Sequence, residues 1–139
     1  MTGAKKITYI DKTAKNNKSY TYKVYVYKDD AGVRIKSKAL SGKGCFRLAC
    51  PASLKVKKLS ARSIKVTYKK AAKASSYQIQ YSTSKSFTGV KTITVRGNSK
   101  TIKSLKKGKS YYVRVRTCYK LSGVVYRSAW SDVKSIKLK

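Results

Sequence analysis

Short apolar alternations predict an all-β chain, with a complete seven-stranded sandwich at 52–139 and part of a second copy of the same fold at 1–50. Three observations carry this. Val, Ile, Thr and Tyr recur in period-2 runs, which suit pleated, half-buried strands. Turn residues separate the runs, and helical 3.6-residue spacing is absent. A segment near the N-terminus repeats one near the C-terminus.

The only proline, Pro51, marks the boundary. After it, Ser53-Leu-Lys-Val-Lys57 opens the first strand on Leu54 and Val56. Ser63–Lys69 sets Ile64, Val66 and Tyr68 on one face and Lys65, Thr67 and Lys69 on the other, the alternation of a strand buried on one side. Ala71–Ser76 reads as a small-residue connection, Tyr77–Tyr81 as a third strand and Ser82–Gly89 as a loop. Lys91–Arg96 turns Ile93 and Val95 inward, and Gly97-Asn98 reads as a tight turn because both residues tolerate positive φ. A short strand carries Ile102 and Leu105, and Lys106–Lys109 is a turn. The long strand Tyr111–Tyr119 places Tyr111, Val113, Val115 and Thr117 inward, with Tyr112, Arg114, Arg116 and Cys118 outward. Gly123 turns the chain, and Tyr126–Leu138 returns as one last strand.

Composition narrows the chemistry. Thirty-five Lys and Arg face four acids, all Asp (11, 29, 30 and 132), and the net charge is +31. There is no His and no Glu. The usual base near neutral pH is therefore missing. A Ser-His-Asp or Cys-His arrangement is excluded, and paired carboxylates or an oxygen-ligand metal cage are hard to assemble. No cofactor pattern is present, and the expectation is a chain without catalytic, cofactor or metal residues. The charge divides as twelve cations against three carboxylates over 1–51 and 23 against one over 52–139. With no discrete basic arm, and with Lys far outnumbering Arg, nucleic acid is expected to bind only non-specifically and with strong salt dependence.

The three cysteines, Cys45, Cys50 and Cys118, form no C-x-x-C. An odd count leaves at least one free thiol or an intermolecular bridge. Cys45 and Cys50 are close enough for a small loop disulfide, which geometry decides. No stretch approaches a membrane span, and the opening Met-Thr-Gly-Ala-Lys-Lys lacks an apolar signal core.

The repeat has an offset of 91. Residues 18–37 and 109–128 share seven identities in twenty without a gap, among them Tyr20 with Tyr111, Val24 with Val115 and Gly32 with Gly123. Residues 1–50 thus read as closing strands without their opening partners, leaving an apolar face of Tyr20, Tyr22, Val24 and Val26 to be covered.

Leu105-Lys-Lys-Gly108-Lys-Ser-Tyr111-Tyr-Val113-Arg-Val115 resembles the corner leading into strand F of fibronectin type III domains. Pro51–Val56 and Ser63–Tyr68 are similar to that family's strands A and B, with Tyr68 where the family usually has Trp. The resemblance implies an immunoglobulin-like sandwich whose corner is built by Leu105, Gly108 and Tyr111, with Tyr20 as the corner tyrosine of the partial copy. The Lys-rich, Tyr-rich style resembles repeats of Gram-positive surface and secreted proteins. It implies an extracellular, secreted or cell-wall-associated spacer or adhesion module beside neighbouring modules of a parent chain. Two further partner classes are an anionic cell-wall polymer or glycan, and a second copy bound through the partial module. Arg96-Gly97-Asn98 reads as a strand-joining turn rather than an adhesion tripeptide. The candidate ligand face comprises Tyr112, Arg114, Arg116, Tyr119, Tyr126, Arg127 and Trp130. Trp130, in Ser128-Ala-Trp-Ser131, echoes the Trp-Ser motif of cytokine-receptor modules; facing out beside strand F it would be stacked by Arg114 and Arg116, and on the other reading it packs under a loop.

Overall fold

The structure, a computed structural model, describes residues 9–41 and 45–139, without the side chains of Ser41, Cys45 and Phe46. The chain divides into two compact units, 1–47 and 48–139. Every regular element among the described residues is a β-strand.

In the second unit, β7 (Ala52–Ser60), β8 (Ser63–Lys69) and β11 (Ser99–Ile102) form a three-stranded sheet in the order β11-β8-β7. The other sheet runs β10 (Lys91–Val95), β9 (Ser76–Ser82), β12 (Ser110–Leu121) and β13 (Val124–Arg127), with β14 (Lys134–Lys137) also paired to β12. All pairings are antiparallel. The expected alternation fills the core: Leu54, Ile64, Val66, Tyr68, Ile79, Val113 and Val115 are all buried. Leu48 is buried here too, and the Thr117 hydroxyl donates to the Ala49 carbonyl, so residues 48–51 pack with this unit.

The expected corner is present. The Lys106 amide donates to the Tyr111 hydroxyl at 2.8 Å, and Gly108, at φ +77°, donates its N–H to the Leu138 carbonyl. A side chain other than Gly or Asn at that φ would strain the turn.

Three expectations change. Gly97-Asn98 does not adopt positive φ. It joins β10 of one sheet to β11 of the other, so no hairpin turn is required there. The crossing is held by Tyr68, whose hydroxyl donates to the Gly97 carbonyl and whose amide donates to the Asn98 carbonyl. The last strand is broken into β13 and β14, with Ser128 and Ser131 in the gap. Their hydroxyls accept from the Thr117 and Val115 amides, while their own amides donate to the carbonyls of the same two residues. Side-chain oxygens thus replace ladder carbonyls, and the strand bends without orphaning β12. Cys118, expected outward, is buried: it lies on a strand flanked on both sides, opposite Ser76 and Arg127.

Among its described residues the first unit is a two-stranded ribbon. β1 (Ser19–Tyr20) pairs β6 (Cys45–Phe46), β2 (Lys23–Val24) pairs β5 (Leu40–Ser41), and β3 (Tyr27–Asp30) pairs β4 (Val33–Lys36). Its bonds match those of the second unit at the same offset of 91. Lys15 donates to the Tyr20 hydroxyl as Lys106 does to Tyr111. Asn17 donates to the Arg47 carbonyl as Gly108 does to Leu138. Ser37 bonds Val26 through both amide and hydroxyl, as Ser128 bonds Thr117. The tip Ala31-Gly32 has both φ positive, as does Ser122-Gly123, the conformation that matches strand twist in a two-residue hairpin.

Tyr111→Phe is expected to lower the stability of 48–139 by about 0.5–1.5 kcal/mol, read as a lower denaturant midpoint; an unchanged midpoint would contradict the corner's energetic role. Burial, then Tyr77, pushes the Tyr68 phenol above its ordinary pKa. A raised folded-state pKa contributes stability that is full below about pH 10 and declines as pH rises through that value. Tyr68→Phe should therefore show a shallower alkaline loss of stability than the parent; equal slopes between about pH 9 and 12 would rule this out.

Candidate functional site

β9 and β12 lie in register with Gln80 opposite Arg114 and Gln78 opposite Arg116. The period of two puts all four side chains on the outer face. Each guanidinium donates two bonds, from Nε and one Nη, to a single amide oxygen: Arg114 to Gln80 Oε1 at 2.9 and 2.8 Å, Arg116 to Gln78 Oε1 at 2.9 and 2.7 Å. Trp130 sits over both, 4.7 Å from Arg114 and 4.2 Å from Arg116. Phe87 covers Arg114 at 4.0 Å. The result is a ladder of alternating rings and cations, each contact contributing about 0.5–1 kcal/mol where exposed and more where desolvated. Burial, then the charge of Arg127, lowers the Arg116 pKa from its ordinary value.

Of the two readings of Trp130, the stacking of Arg114 and Arg116 on it is the one present. The other members of the proposed face are not part of this stack, although Tyr112 shares the outer face of β12 with Arg114. Tyr119 and Tyr126 are directly opposite each other across β12 and β13, a cross-strand pair. Arg127 is exposed opposite Cys118, and Tyr112 is half-buried between Ser82 and Ser135. Phe87, Gln78 and Gln80 escaped the sequence reading. The Gln-x-Gln and Arg-x-Arg spacings were visible, but their register was not.

Cys50 and Cys118 are free thiols; the side chain of Cys45 lies outside the described residues. Burial raises both pKa values above the ordinary one, with Asp132 adding to the effect at Cys50. Both shifts favour the protonated thiol, the unreactive form. An open groove beside Cys50, Leu54, Val56, Trp130 and Ser135 holds Asp132 as its only carboxylate. Among the described residues no three His, Cys, Asp or Glu side chains cluster to hold a metal. No described helix is long and apolar enough to cross a membrane.

Two facing antiparallel sheets, a tyrosine corner and a serine-broken last strand define an immunoglobulin-like sandwich module. The chain belongs to the fibronectin type III family, whose domain model matches residues 49–133. Solved structures that share the fold include the following two. One, described as a myokine structure, is 20% identical, with a TM-score of 0.53 over 65% of this chain and 96% of its own. The other, the fn3 domain of human contactin 1, is 22% identical, with a TM-score of 0.54 over 63% and 75%. No curated protein sequence matches the chain.

Trp130→Ala is expected to cost about 2–3 kcal/mol, from two cation–π contacts and lost apolar contact, measured by denaturant unfolding followed by circular dichroism. A loss below about 0.5 kcal/mol would mean that the ladder does not stabilise the sheet.

Proposed function

We propose that this chain is a non-catalytic, extracellular spacer or adhesion module of a surface or secreted protein. The observation that carries this reading is the fibronectin type III sandwich whose two stacked arginines are held by its own side chains. The two arginines best placed for a ligand each donate twice to a glutamine, and Asp132 is the only carboxylate over 48–139. The test is retention of the chain on cell-wall preparations, neutral polysaccharide and duplex DNA at low and physiological salt. Binding to every polyanion at low salt and to none at physiological salt is expected of a spacer with a solvated charge coat.

A second reading, a module for anionic cell-wall polymer or glycan, is favoured by where the lysines lie. Lys55, Lys57, Lys65 and Lys69 are exposed on the outer face of β11-β8-β7, and Lys57 and Lys65 are directly opposite, a like-charge pair that weakens the sheet. The outer face of the other sheet carries Gln78, Gln80, Thr92 and Thr94 alongside the ladder. Retention on one anionic polymer at physiological salt, lost in a Lys57→Gln/Lys65→Gln variant and kept in a Lys106→Gln/Lys107→Gln variant, would establish this reading over the first.

A further inference from the structure

The two corners and hairpins share their bonds but not their surroundings. Val115 is 0% exposed and Val24, at the equivalent position, is 59% exposed. Thr117 is 0% exposed and Val26 is 63% exposed. Tyr111 is buried, while Tyr20 is only half-buried. In the second unit the cover comes from residues 52–102, through Leu54, Ile64, Val66, Tyr77, Ile79 and Ile102. Among the described residues of the first unit nothing equivalent is present. A two-stranded ribbon is marginal in water by itself, and an exposed row of β-branched side chains on a preformed strand suits the addition of further strands.

We propose that residues 12–41 and 45–47 form an acceptor hairpin for one kind of occupant: a segment with the opening-strand pattern of a fibronectin type III module, as this chain carries at 52–102. It would dock on the face of Tyr20, Val24 and Val26. The inference rests on the repeat and is independent of the spacer reading. The occupant is a further segment, because residues 52–102 of the same chain are already paired with β12 or packed on it. Its docking geometry is defined by the offset. β9 would be matched by a strand hydrogen-bonded along residues 21–27, as β9 is along Tyr112–Cys118. One difference shapes the lower end. Arg47 stands where Leu138 is fully buried, and its guanidinium donates to the Ala14 carbonyl. That end of the acceptor is closed by its own arginine rather than by an apolar plug.

The offset also supplies the test, since Lys12 aligns with Lys103. A second copy of residues 52–102 joined directly ahead of residue 12 places the missing strands in register. Amide exchange at residues 20–27 is then compared with that in the unextended chain, with residues 110–121 as internal reference. The amides of 20–27 are expected to slow by more than about 100-fold, toward exchange through global unfolding. A smaller slowing, with 110–121 still protected, overturns the proposal. Val24→Asp in the extended chain should restore fast exchange at 20–27 alone; retained protection there would show that this face is not the one that docks.

Discussion

Strand β12 has ladder partners along both edges and packed side chains on both faces, and the second unit depends on that arrangement. Its inner face supplies Tyr111, Val113, Val115 and Thr117 to the core. Its outer face holds Arg114 and Arg116 against Gln80, Gln78 and Trp130. Side chains alternate with a period of two, so a slip of one residue would send both arginines inward and both valines into water. Burying an unpaired guanidinium is costly, so core and ladder exclude the same error. The serine-broken edge serves the same end. Because Ser128 and Ser131 satisfy the amides of Thr117 and Val115, the last strand can bend away, leaving Trp130 over the arginines.

The cations fall into two physical groups. Arg114 and Arg116 are ordered by planar, two-point bonding that an ammonium cannot copy. The lysines of β7 and β8 are exposed. Both described ion pairs, Lys28–Asp30 and Arg34–Asp29, lie in the first unit. With 23 cations and one carboxylate over 52–139, self-repulsion opposes compaction. The continuous apolar core and the two sheets' ladders offset it, and salt screens it.

Comparison of the repeated hairpins separates local from tertiary causes. Corner tyrosine, positive-φ turn, serine bonds and ladder register recur at the same offset in both units. They therefore follow from nearby residues and do not need a covering sheet. Burial does need one: Val24 and Val115 are the same residue in the same register with opposite exposure.

The strands were legible because their signals are local. Ser63–Lys69 alternates cleanly and is β8, and Gly108 with Tyr111 announced the corner. Of the ligand face drawn from sequence, the shared face of Arg114 and Arg116 was legible because i, i+2 residues of a strand point the same way, whereas two places for Trp130, over the arginines or under a loop, stayed open. The arginines' other partners were not legible. Gln78 and Gln80 reach the arginines through the β9–β12 register, and Phe87 arrives from a loop. Gly97-Asn98 misled because its composition suits a hairpin turn, whereas β10 and β11 belong to different sheets. Sequence by itself determined the strand periods, corners, turns and net charge, which depend on residues a few positions apart. Tertiary structure alone decided which strands share a sheet, what orders the arginines, that Cys118 is buried and that Val24 is not, because each depends on segments brought together from distant parts of the chain.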